Sequence, residues 1–247
     1  MDTVTLNALG PGAASAIIML LADARLPAGA HVTSNGVEAG LRHGLVTGEV
    51  AAYMRARMRT VVRVEAGTAV VTRHALTDTR VVDGDEVDRG SRSDRESSAI
   101  LADIGDEWAA RTPSPALREI AEALGAGLRR VAVTLWPKLN PVMPRRGLPR
   151  PVVLGSIAAA AGIPAADLVR LVAYDDAQTV AAAMLKLEPM DPLAATGWVL
   201  EACTAFEPCV ADLATLTDPA AIPAAGAPLI EDWAEAQSAL PRRLFRA

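Results

Sequence analysis

"SPALREIAEALGAGLRRVAVTLWP", residues 114 to 137, decides the fold class. Its apolar positions are Leu117, Ile120, Leu124, Leu128, Val131 and Leu135. They recur at steps of three, four, four, three and four, which draws one stripe along an α-helix. Ser114 is a preferred N-cap, and Pro115 fits the first helical position, where an N–H would have no partner anyway. Pro137 lacks the N–H needed to continue the ladder and ends the helix. Gly125 and Gly127 weaken a helix, so their presence implies the close approach of another backbone.

The same grammar recurs on both sides. Upstream, Ile17-Ile18-Met19-Leu20-Leu21 reads as a buried helix that stops at Asp23. Asn35-Gly36-Val37-Glu38 has the shape of a capping box, with Asn35 capping the next helix. From Glu49 to about Leu76 one stripe carries Val50, Met54, Met58, Val61 and Glu65, mostly at steps of four. Downstream, Pro151 opens a helix that Gly162 closes, and Pro164 opens another that runs to Leu187. Asp191-Pro192 repeats the cap-then-proline start, and Pro228 opens a last helix with Leu229, Ile230 and Trp233. "VVRV" and "AVVT" are β-branched, but they lie inside a helical stripe. The expectation is an all-α, single-domain helical bundle of roughly eight to ten helices spanning 1–247. Two stretches read as loops. Residues 77–99, "TDTRVVDGDEVDRGSRSDRESSA", are polar and charged and read as exposed. "NPVMPRRGLPRP", 140–151, is dense in proline and arginine.

Composition narrows the function. Aromatics are only 3% of the chain, so Ala, Val and Leu must fill the core, which suits close helix packing. The formal net charge is -5, which argues against nucleic acid as a partner, because phosphate neutralisation needs a basic surface. The first residues lack a basic region, and no apolar run reaches transmembrane length. The reading is a cytoplasmic protein with no leader and no membrane span.

Chemistry-bearing motifs are scarce. The three histidines, His31, His43 and His74, do not share a metal-binding helical spacing. Cys203 and Cys209 flank Pro208 and read as small core residues. "GPGAAS" lacks the lysine of a phosphate loop, and there is no nucleophile elbow. Asp175 and Asp176 are adjacent on a helix, so they point apart and read as surface or capping groups. No cofactor and no metal ligand set is expected. One segment stands out: "LADARLPAGAHVTSNGVEAGL", 21–41, places Asp23, Arg25, His31, Thr33 and Ser34 between two apolar helices. Pro27 and Gly29 fix its path. That list fits an active site, a metal site, a docking loop or a capped turn.

This segment resembles the N-terminal signature of the UreF family of urease accessory proteins, which reads L-x-D-S-R-x-P-x-G and then H-S-x-G-L-E. Asp23, Arg25, Leu26, Pro27, Gly29, Ser34, Gly36 and Glu38 match, while Ala24 and Thr33 replace a serine and a histidine. "LPRPVVLGSIAAAAGIPAADLVRLVAYDDAQTVAAAMLKLEP" resembles the family's P-V-V-x-G and long Ala-rich helix, although Met190-Asp191-Pro192 stands where the family has L-G-Q. "RRLFRA", 242–247, is similar to the family's closing R-L-F-R-S. The resemblance implies an all-α homodimer with no catalysis of its own. It implies binding to UreD (also called UreH), recruitment of the GTPase UreG, and delivery of nickel to apo-urease. The partner-binding residues would then be Asp23, Arg25, Pro27, Gly29, His31, Ser34 and Glu38 in the loop segment. In the tail, 241–247, they would be Arg242, Arg243, Leu244, Phe245 and Arg246. Pro241 ends the last helix, so the tail is expected to reach outward, with Leu244 and Phe245 as apolar anchors. The alternatives are a diverged all-α paralogue with an altered or lost role, or a metal-binding protein or enzyme using Asp23, His31 and Ser34.

Overall fold

The longest helices carry alternating faces of small apolar side chains and polar ones, and they pack around one that is apolar on every side. The computed structural model describes residues 13–23, 25–28, 32–82, 90–240 and 244–245, at 79–82 and 90–92 through the backbone alone. The described helices, in chain order, are α1 (Ala13–Ala22), α2 (Val37–Arg42), α3 (Val50–Arg59), α4 (Val61–Val82), α5 (Gly90–Ala110) and α6 (Pro115–Leu135). They continue with α7 (Arg150–Ala161), α8 (Ala165–Leu187), α9 (Pro192–Phe206), α10 (Val210–Ala214) and α11 (Pro228–Ala239). Nine have ten residues or more; α2 and α10 are short, and no strand occurs among the described residues. The fold is an all-α bundle.

α7 is the central helix. Every residue from Pro151 to Ala159 is buried, which is the mark of a helix enclosed on all faces. It packs most extensively on α4 and then on α6. Gly155 permits this: a Cβ there would lie 2.3 Å from the carbonyl oxygen of Ala69, so the two backbones nearly touch. Along α4 the hydroxyls of Thr68 and Thr72, both fully buried, donate to the carbonyls of Val64 and Thr68 at 2.8 Å. The β-branched "VVRV" and "AVVT" runs are therefore helical, their alternation overridden by core packing.

Sequence grammar placed most boundaries. Ser114 accepts from Leu117 N and Pro115 leads α6. Gly162 closes α7 with φ 69, and Asp191 accepts from Leu193 N to start α9. Gly125 and Gly127 do serve close approach, and within the subunit: added Cβ atoms would sit 2.1 Å from the Leu148 oxygen and 2.6 Å from the Ala28 oxygen. Four expectations need correction. The stripe from Glu49 to Leu76 is two helices, α3 and α4, broken at Thr60. Residues 77–99 are largely not a loop, because α4 runs to Val82 and α5 begins at Gly90; residues 83–89 lie outside the described residues. The reason is a stripe at steps of four, three and four, Ser97, Leu101, Ile104 and Trp108, all buried, which charged neighbours obscured. Asn35 is not a side-chain cap: the N-cap of α2 is Gly36, φ 80, without a side-chain cap bond. The fourth correction concerns the tail.

Candidate functional site

The α1–α2 connection begins where the apolar run of α1 gives way to Asp23. The Asp23 carboxylate accepts from Arg25 N at 2.9 Å, from Nε at 3.0 Å and from Nη2 at 2.7 Å. These hydrogen bonds from Arg25 hold the Asp23 carboxyl down to about 2. Arg25 is bound at one edge only, and its side chain is 90% exposed. Pro27 is exposed, and Leu26 is half-buried. With Leu20, Val131 and Leu135, Leu26 and Pro27 line an open apolar hollow of about 360 Å³. Gly29 and His31 lie outside the described residues.

The second half of the connection turns inward. Thr33 and Ser34 are buried, and Ser34 Oγ accepts weakly from Glu38 N at 3.5 Å. Asn35 adopts φ 51, a left-handed conformation uncommon outside glycine. A polar network holds it there. Asn35 Nδ2 donates to Asp176 Oδ1 at 3.0 Å, Arg57 Nη1 donates to the Asn35 carbonyl at 3.2 Å, and the Tyr53 hydroxyl donates to the same carbonyl. Arg57 in turn clasps Asp176 with two N–H groups, at 3.0 and 2.6 Å. Both side chains are nearly enclosed. Burial alone would lower the Arg57 pKa, but the Asp176 charge outweighs it and keeps the guanidinium ionised.

A second pair, Arg150 and Asp175 at 2.9 Å, is 19% exposed on each side. Burial pushes the Asp175 carboxyl up against the opposing pull of Arg150. Both pairs line a cavity of about 90 Å³, together with Thr33, Asn35 and Glu65 and the apolar side chains of α6. Glu65 accepts from Trp108 Nε1 at 3.0 Å, and burial pushes its carboxyl up to about 7 despite that bond. Asp175 and Asp176 are thus not surface or capping groups: they point apart, as adjacent helical residues must, but each pairs with an arginine, Asp176 with the buried Arg57 and Asp175 with the half-buried Arg150. Glu65 was legible as an acid within an apolar stripe. The two aspartates carried no local signal.

Glu38 is more fully enclosed than Glu65. Its carboxylate accepts from Leu244 N at 2.8 Å, Phe245 N at 3.0 Å, Gln237 Nε2 at 2.8 Å and Arg42 Nη2 at 3.2 Å. Burial pushes its pKa up, but the donors, led by Leu244 N, bring it below the usual carboxylate range. The tail is therefore not free at this point. Phe245 is 3% exposed and joins the core of its own subunit, with Lys186 Nζ 5.2 Å from its ring centroid. The expectation that Phe245 reaches outward is corrected, because the loose donors of a chain end find an acceptor in Glu38 and a terminal Phe finds the core. Leu244 remains 61% exposed. Arg242, Arg243 and Arg246 lie outside the described residues.

Ser34 is fully buried, so its hydroxyl is closed to a substrate, and Asp23 is committed to Arg25. Among the described residues no three His, Cys, Asp or Glu side chains are grouped to hold a metal ion. His43 is an exposed C-cap, its Nδ1 2.8 Å from the Ala39 oxygen, and His74 lies within α4 beside Asp78. Cys203 and Cys209 are free thiols, partly buried against the core.

The UreF family model matches residues 41–203. The chain belongs to the UreF family. A urease accessory protein UreF from Mycobacterium marinum is 33% identical over 211 residues, 83% of this chain and 89% of that protein. One from Mycobacterium sp. (strain JLS) is 34% identical over 208 residues, 82% of this chain and 88% of its own length. The Mycobacterium tuberculosis UreF is 32% identical over 212 residues, 83% of this chain and 89% of its own. These UreF relatives are named as accessory proteins rather than enzymes, and on that ground the chain is an accessory protein of urease and not an enzyme. The family match begins at Leu41, just beyond the α1–α2 connection, and covers Arg57, Glu65, Arg150, Asp175 and Asp176. No helix among the described residues is long and apolar enough to cross a membrane.

Proposed function

We propose that the chain is a non-catalytic scaffold of urease maturation, acting as a homodimer in the cytoplasm. It binds UreD and recruits the GTPase UreG for nickel insertion into apo-urease. Nickel is the cargo of that assembly, not a resident cofactor of this chain. The α1–α2 connection is the docking element. The observation that carries the reading is its construction. The inner half is fixed by buried polar bonds from Arg57 and Asp176, while the outer half presents Arg25, Pro27 and an apolar hollow to solvent. Association favours a loop held in one pose, because less freedom is lost on binding. An apolar hollow with Arg130 in its wall, next to the segment that carries the exposed Arg25, is the kind of surface that anchors a partner. In the tail, Leu244 is the exposed anchor; Phe245 contributes by seating it, and Arg242, Arg243 and Arg246 supply the charge.

Co-expression with UreD and UreG, followed by size exclusion, tests this. The double variant Pro27→Ala with Gly29→Ala is expected to weaken co-elution while its helical circular dichroism stays unchanged. Undiminished co-elution of the three proteins from that variant would overturn the assignment of the loop.

A further inference from the structure

The α1–α2 connection meets two ion pairs, one nearly enclosed and one half-buried. On one side Arg57 and Asp176 grip Asn35. On the other, Arg150 and Asp175 line a small cavity closed by Asp23, Leu26 and Ala28 of the connection itself. Both pairs also border the cavity that holds Glu65. Each arginine is already paired with its own aspartate. Glu65 is the fifth ionisable group there, and among the described residues it forms no ion pair.

The groups facing Glu65 come from every element around that cavity. α3 presents Arg57, α5 presents Trp108, α7 presents Arg150, and α8 presents Asp175 and Asp176; α6 offers only Leu117, Ile120, Ala121 and Leu124, and the connection offers Thr33 and Asn35. Protonated, Glu65 leaves the cluster electrically balanced. Ionised, it adds an unmatched charge in a low-dielectric site and competes with Asp175 for Arg150 and with Asp176 for Arg57. The cavity has room for water, so a proton can leave.

We propose that Glu65 is a proton-controlled release for the inner end of the α1–α2 connection, residues 32–36: neutral, it leaves both ion pairs intact and Asn35 seated; ionised, it draws the arginines from their aspartates and loosens that end. Burial places the Glu65 transition near 7, within the range a cell samples. The proposal concerns the pose of the connection in the isolated chain and stands whether or not that element meets a partner.

The Trp108 indole N–H donates to Glu65, so its nitrogen-15 resonance in tryptophan-labelled protein reports the carboxyl charge directly. Amide hydrogen exchange over residues 32–36, corrected for intrinsic rates, reports the inner end of the connection. In the wild type the Trp108 signal is expected to titrate with a midpoint near 7. Protection of residues 32–36 should fall about tenfold between pH 6 and pH 8.5. Glu65→Gln should hold that protection at both pH values. The proposal is overturned by a Trp108 signal that is flat from pH 5 to 9, by protection that does not change, or by an equal loss of protection in Glu65→Gln. Should that variant fail to fold, the wild-type midpoints of the two signals decide, and midpoints that do not coincide overturn the proposal.

Discussion

Glu65 and Asp176 sit in one cavity and make opposite demands on stability. The Glu65 carboxyl is raised from its ordinary 4.5 to about 7 in the folded chain. Its contribution to stability is therefore fully present below pH 4.5 and is lost as pH rises through 7. The difference of about 2.5 units corresponds to about 3 kcal/mol. Glu65→Gln should raise unfolding free energy at pH 8 by up to that amount and leave it nearly unchanged at pH 5, as read by urea denaturation. Asp176 acts the other way. Asp176→Ala strands the enclosed Arg57 guanidinium and loosens Asn35 from its left-handed pose. Removing one partner of a buried pair typically costs about 3–5 kcal/mol, so the urea midpoint should drop sharply at neutral pH. At this scale the sequence was only partly legible. An acid within an apolar stripe marks Glu65, but Arg57 lies 119 residues from Asp176, and no local pattern connects them.

Among the elements, caps, prolines and stripes read correctly because they act within one turn of the chain. Ser114, Pro115, Gly162 and Asp191 needed no tertiary context. What failed depended on the rest of the fold: the charged start of α5, and the tail that Glu38 captures from more than 200 residues away. Gly125→Ala tests the first kind of inference. Alanine favours a helix by up to about 1 kcal/mol, but a Cβ 2.1 Å from the Leu148 carbonyl forces two backbones apart. Overpacking of this kind costs about 1–3 kcal/mol or more, so the variant should melt lower than wild type rather than higher. Phe245→Ala tests the second. A free tail would leave the melting temperature unchanged. A buried Phe lost from the core costs about 3 kcal/mol or more, and each kcal/mol moves the midpoint of a domain this size by about 2–4 °C. A clear drop is expected, and deletion of residues 242–247 should reproduce it.

For the whole molecule the account joins an all-α bundle to a role without catalysis. The fold class was legible because helical period and helix-favouring composition agree along nearly the whole chain. The assembly was not: Gly125 and Gly127 signal the close approach of another backbone without saying whose, and both meet the backbone of their own subunit. A homodimer therefore has to use other surface. Light scattering at tens of micromolar should give twice the mass of one chain; a single-chain mass would remove the dimer from the account. The central claim, a scaffold that lets urease acquire its metal, is tested most directly in a urease-expressing strain whose own UreF gene has been deleted. With UreD and UreG present and nickel supplied, introducing this chain should restore urease activity, and the strain without it should stay inactive. Urease that remains inactive while the chain is expressed and folded would contradict the account.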